Sequence, residues 1–229
     1  MDYFSTAFGA ALALIFSFDR EVYTVVWTSL YISLIAVTLA ALPGIPLGML
    51  VALRDFAGKR LLLQTLNTLM ALPTVVVGLL LYGLLTRQGL LGHLGLLYTT
   101  GAIIIGQTLL ILPVIWNLAI AAAAGADPRL LPTSQALGAS LWQQGAMYVH
   151  EVKFALAAAL VAGFGRAIGE VGVAMMVGGN IEGFTRTMTT AIALETSKGE
   201  FEFALALGIL LLATAFLVNF AVQRFQAMG

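Results

Sequence analysis

Arg166 and Glu170 stand four residues apart in GFGRAIGEVGVAMMVGGNIEGFTRT, residues 163–187 of a chain whose surroundings are almost entirely apolar. Four residues apart on a helix puts both side chains on one face. An unpaired charge at membrane depth costs about 2.5–3.5 kcal/mol on insertion scales. The two are therefore expected to pair, with each other or with a neighbouring helix, and to face inward. Either an ion pair locking a helix bundle or an element lining a pore fits that placement. Glycines at 163, 165, 169 and 172 remove side chains along the same helix, which predicts close helix packing. The VGGN that follows is expected to end the helix. Asn180, Thr185, Arg186, Thr187, Thr189 and Thr190 are then expected near the outer surface. Main-chain N–H groups, hydroxyls and one guanidinium suit an oxyanion held briefly; an ordinary solvated loop has the same composition.

These groups need a scaffold, and the composition says which kind. Of 229 residues, 60% are hydrophobic and 10% charged, with mean hydropathy +0.99. A water-soluble domain carries about 25% charged residues, so this chain has too little polar surface to cover itself and reads as an all-α integral membrane protein. Net charge is zero, which gives no reason to expect nucleic acid. The absence of cysteine excludes disulfides, thiolate metal sites and a cysteine nucleophile.

Crossing hydrocarbon takes about 20 apolar residues as a helix. Uncharged or nearly uncharged stretches predict spans at about 25–53, 61–85, 100–123, 153–178 and 202–223, the fourth carrying Arg166 and Glu170. Pro43, Pro46, Pro73 and Pro113 fall within them, and each is expected to kink its helix. Residues 1–21 hold a shorter apolar segment, expected to lie in the outer interface, with a sixth span as the other reading. Counting loops, one side holds six basic and three acidic residues, the other four basic and seven acidic. The more basic side is expected in the cytoplasm, with the N-terminus outside and the C-terminus inside.

The long connection, residues 125–151, falls on that basic side. It reads as two short helices. Asp127 and Pro128 suit the start of the first, Gly138 suits a left-handed stop, and Ser140 with Gln143 forms a capping box for the second. Leu137, Leu141, Trp142 and Met147 make an apolar knob, fit for packing on the bundle or docking a cytoplasmic partner. The chain has no G-x-x-x-x-G-K-[ST], no G-x-S-x-G and no H-E-x-x-H. Its two histidines, His93 and His150, fall in loops on opposite sides. No catalytic residue, metal site or cofactor is expected in this chain.

LNTLMALPTVVVGLLLYGLL, QALGAS, and GFGRAIGEVGVAMMVGGN followed by TRTMTTAIALETSKGEFEFALALG together resemble the permease subunits of type I ABC importers for oxyanions, most nearly the tungstate-uptake group, with molybdate permeases related. The resemblance spans about residues 22–223. It implies five core transmembrane helices of the MetI-like fold plus the N-terminal segment, a homodimer with one path between the copies, two cytoplasmic ATPase subunits that bind ATP and Mg²⁺, and an extracytoplasmic tungstate-binding protein. Leu137, Gly138, Ala139, Ser140 and Trp142 would couple to the ATPase. Arg166, Glu170, Asn180, Arg186, Thr187 and Thr189 would line or brace the path. In one respect the chain departs from the importer pattern: Pro132, Thr133 and Ser134 occupy the places of its E-A-A, and only Gly138 matches strictly. Pro132 is also expected to shorten or bend its helix. Molybdate and sulfate permeases share this build, and an ion-coupled carrier using Glu170 as a proton site is the rival from another class.

Overall fold

The computed structural model describes residues 3–227, with side chains from 4 to 224; residues 1–2, the start of the N-terminal segment, lie outside the described residues. Eleven α-helices and no strand are found among them. In order they are α1 Tyr3–Phe16, α2 Arg20–Leu53, α3 Lys59–Met70, α4 Thr74–Leu85, α5 Thr100–Ala124, α6 Leu130–Ala136, α7 Leu141–Glu151, α8 Lys153–Ile168, α9 Gly172–Gly178, α10 Met188–Lys198 and α11 Phe201–Ala227.

Three helices, α2, α5 and α11, are long and apolar enough to cross a membrane unbroken. The stretch expected as one span over 61–85 is instead two helices, α3 and α4, meeting at 94°. Proline accounts for the break. Its ring disfavours helical geometry at Leu72, and Pro73 brings no N–H to the ladder. Pro43, Pro46 and Pro113, by contrast, sit inside continuous helices. The stretch expected as one span over 153–178 is also divided, into α8 and α9, and the division falls at 169–171, well before VGGN.

The core is built on α2 and α5, which run parallel. Gly44 and Gly48 of α2 let the two backbones close up: a Cβ at Gly48 would stand 2.6 Å from the Cβ of Ala119, and one at Gly44 3.2 Å from Ile115 Cγ2. Val25, Val37, Ile111, Ile115, Ile168, Met188 and Leu207 pack into one cluster joining α2, α5, α8, α10 and α11. A second cluster, with Ile32, Leu81, Ile103, Val173 and Val177, ties in α4 and α9.

α1 is fixed at both ends near the starts of other helices. The Phe4 ring lies 6.3 Å from that of Phe201, and the Tyr23 hydroxyl donates to the Ile15 carbonyl at 3.1 Å. At the opposite end of the bundle, α6 and α7 form the expected helical pair. α6 starts at Leu130, later than the Asp127–Pro128 start read from sequence; the Asp127 carboxylate instead accepts from the Arg129 N–H and guanidinium. Arg129 thereby holds the Asp127 carboxyl below its usual range. With Pro132 in it, α6 is only seven residues long.

Filling the α2–α5 seam should be costly. Gly48→Val is expected to destabilise the folded protein in detergent by about 1–3 kcal/mol through overpacking. Gly208→Ala, where nothing lies within 4 Å of the added carbon, is expected to leave thermal unfolding unchanged.

Candidate functional site

Where α8 stops, backbone groups lose their helical partners. At membrane depth such groups must find others within the protein. The Ala167 carbonyl takes the Glu170 N–H at 3.1 Å, and side chains from three directions supply further partners. Gln107 of α5 donates its Nε2–H to the Ala167 carbonyl at 3.1 Å. Thr189 of α10 donates its hydroxyl to the Glu170 carbonyl at 2.7 Å. Glu170 turns its own carboxylate forward, where Oε1 accepts the Val173 N–H at 3.0 Å. Glu170 is buried and makes no ion pair among the described residues. The expected Arg166–Glu170 pair does not form, because the helix ends between them and Glu170 is taken up by the backbone of α9.

Arg166 is left on the opposite side. It is exposed and makes no hydrogen bond or ion pair with any described residue. Around it the exposed face of α8 is small: Ala155, Ala158, Ala162, Gly165 and Gly169 recur every three or four residues. The glycines divide accordingly. A Cβ at Gly163 would stand 3.1 Å from Ile115, and one at Gly172 2.6 Å from Thr74 Oγ1, so both serve close packing. Gly165 has nothing within 4 Å, and Gly169 meets only the Gly165 carbonyl at 3.3 Å. The Gly172–Thr74 contact also sets the break in 153–178 beside the break in 61–85.

Arg186 lies buried among carboxylates. It is 7% exposed, and its Nη1 lies 3.0 Å from Glu21, 3.6 Å from Glu182 and 3.7 Å from Glu195. Lys198 adds a fifth charge at 2.9 Å from Glu195. The threonines expected beside it are also engaged internally. Thr187 caps α10 in a capping box with Thr190, and Met188 N–H donates to Ser29 Oγ of α2 at 2.7 Å. Thr185 Oγ1 donates to the Gly178 carbonyl at 2.6 Å, and Asn180 Nδ2 to the Thr190 carbonyl at 3.3 Å. Asn180, Arg186, Thr187 and Thr189 thus tie α10 to α2 and to the α8–α9 break. They form an internal brace.

Gln107 and Ser29 were missed by a search for charges. The signal for Gln107 was a lone amide in TGAIIIGQTLLILPV. Gln64, Thr65, Asn67 and Thr68 were missed for the same reason. They are exposed on α3, where Asn67 Oδ1 accepts from Asn117 of α5 at 2.7 Å.

At the far end of the bundle the α6–α7 turn is rigid below and bare above. Gly138 has φ +75°, as expected for a left-handed stop. Ser140 and Gln143 close the capping box. Tyr148, Leu130 and Leu131 pack beneath, in a cluster with Met49 and Ala123. Leu137 and Trp142 stand 80% and 84% exposed, with Leu141 between them.

Residues 44–227 match the family described as binding-protein-dependent transport system inner membrane component. This chain is a member of that family. It is 39% identical over 226 residues to the tungstate uptake system permease protein of Peptoclostridium acidaminophilum, covering 99% of both chains. The protein of the same description from Campylobacter jejuni is 38% identical, over 99% of this chain and 95% of that one. Among solved structures, an inward-facing MetNI methionine ABC transporter superposes with a TM-score of 0.72 at 18% identity, covering 90% of this chain and 94% of that one. The fold is therefore the type I importer permease fold, and the membrane is its setting.

Removing the buried guanidinium should expose what the brace is worth. Arg186→Met is expected to lower stability by about 3 kcal/mol, because buried Glu195 loses a partner. Adding Glu195→Gln is expected to recover part of the loss, read as a rise in unfolding temperature of the double variant over the single one.

Proposed function

We propose that this chain is the membrane subunit of an ATP-driven importer that carries tungstate into the cytoplasm. The near-full-length identity to two tungstate uptake permeases carries this reading. In it, two copies of the chain enclose one path. A cation on an open face at mid-membrane cannot face lipid cheaply. The Arg166 side of α8 therefore turns toward the second copy and the water between, and its small residues permit close approach. Glu170, Asn180, Arg186, Thr187 and Thr189 brace that path from behind.

The path alone supplies no energy. Two ATPase subunits in the cytoplasm bind ATP and Mg²⁺, and the bare knob of Leu137, Gly138, Ala139, Ser140 and Trp142 seats in them. No glutamate stands in the first E-A-A place of this loop, so apolar contact and the fixed shape of the turn do the docking. Closure of the ATPases moves the knobs, and through the cluster beneath Tyr148 that movement reaches α2, α5 and α8. An extracytoplasmic protein delivers tungstate to the other end.

The excess of basic residues around the knob supports a cytoplasmic placement for it, in the inner membrane, with the N-terminus outside. α1 then lies along the outer interface. Its 14 residues span about 21 Å, and contacts at Phe4 and Ile15 hold both ends near the starts of α11 and α2.

Reconstitution tests the assignment. Vesicles holding this chain, its ATPase and its binding protein are expected to accumulate tungstate only with ATP. Gly138→Asp is expected to insert normally, because φ +75° strains one turn outside the bundle, and to lose stimulated ATP hydrolysis and uptake. A monomer that moves tungstate without any nucleotide-hydrolysing subunit would overturn the reading.

A further inference from the structure

Two hollows open at the end of the bundle opposite the knob. One, of about 390 Å³, is lined by Asp19, Glu21 and Glu182 with Arg20. The other, of about 480 Å³, is lined by Tyr82, Tyr98, Met175, Met176, Gly179 and Ile181. We propose that the second hollow is a transient oxyanion site on the transport path, with the Tyr82 and Tyr98 hydroxyls as its donors. The proposal rests on the transport reading above and adds to it a place where the substrate is touched.

Charge separates the two hollows. The first is lined by three carboxylates and one guanidinium, and two of those carboxylates are already paired with the buried Arg186, so it offers a dianion little beyond Arg20. No carboxylate lines the second, and its polar groups are neutral. The tyrosine rings stand edge to face, with centroids 6.4 Å apart. Interaction with the Tyr82 hydroxyl holds the Tyr98 proton above the usual phenol range, so it remains a donor. Neutral donors hold a dianion loosely, which suits cargo that must move on.

The backbone fixes Tyr98 at this corner. Its φ is +63°, a left-handed conformation uncommon for a bulky residue. Its N–H donates to the Val177 carbonyl at 2.8 Å, and its ring lies against Gly179, where a Cβ would stand 2.7 Å from Cδ1. Gly179 and Asn180 are left-handed as well. Glycine and asparagine take this conformation readily, so Tyr98 is the strained residue of the three, held there by the contacts around it. Position supports the same conclusion. The exposed side of α8 and α9 runs from Arg166 through Val171 to Met175, and Met175 lines the hollow. Tungstate released from the tyrosines would next meet the Arg166 cation.

The test uses the complete reconstituted complex, with tungstate and then molybdate as probes, and reads uptake per ATP hydrolysed. Tyr82→Phe/Tyr98→Phe keeps both rings, so unfolding temperature and binding-protein-stimulated ATP hydrolysis are expected to stay near wild type, while uptake per ATP falls about fivefold or more. Met175→Glu places a carboxylate in the hollow and is expected to fall well below the neutral Met175→Gln. Unchanged uptake per ATP in the double phenylalanine variant, or equal uptake by the glutamate and glutamine variants, overturns the site while leaving the importer assignment intact. A wild-type complex that carries no oxyanion overturns both.

Discussion

Everything in this fold answers to the cost of interrupting a helix inside a membrane. Carbonyl and N–H groups freed on the buried side of the α8–α9 break take partners from the protein itself. Gln107, Thr189 and the Glu170 carboxylate are those partners. Each fixes the break to something else: Gln107 to α5, Thr189 to α10, Glu170 to the start of α9. An interrupted span that would otherwise be a weakness becomes the point where three helices are tied.

The tie explains the charge arrangement. Because Glu170 bonds to backbone, it is not available to Arg166, and the arginine is left on the open side. Because α10 must enter deeply enough for Thr189 to reach Glu170, its N-terminus is buried and Met188 bonds to Ser29. The loop leading to it carries Arg186 into a buried place, and Glu21, Glu182 and Glu195 neutralise it there. One face of the α8–α9 region is thus closed and held by buried polar contacts. The other is small, open and positively charged, the asymmetry that the proposed path between two copies calls for.

Much of this was legible in the sequence. The three unbroken apolar helices α2, α5 and α11 followed from uncharged length, the α6–α7 turn from Gly138 and the Ser140–Gln143 pair, and the family from four stretches that resemble it. The helix breaks were harder. Pro73 announced an interruption without its 94° angle. The break at 169–171 left no mark beyond Gly169, because what stabilises it comes from Gln107 and Thr189, far away in the chain. Pairing Arg166 with Glu170, one of the two arrangements that four-residue spacing left open, fails for the same reason: the rule assumes an unbroken helix. The shortest ion pair of Arg186, to Glu21, is 165 residues distant and was invisible in the sequence, although Glu182 stands only four residues before it. Local pattern was reliable for local structure, and long-range polar partners were not visible in it.

The central claim is that the Arg166 face borders water rather than lipid. The chain has no native cysteine, so single-cysteine variants report one position each. Gly165→Cys and Gly169→Cys, in the complex within native membranes, should react with a charged, membrane-impermeant thiol reagent applied to both sides, at rates that change on ATP binding. Leu212→Cys, on the exposed side of α11, should resist it. Protection of both α8 positions at the level of Leu212→Cys, in every nucleotide state, would contradict the account.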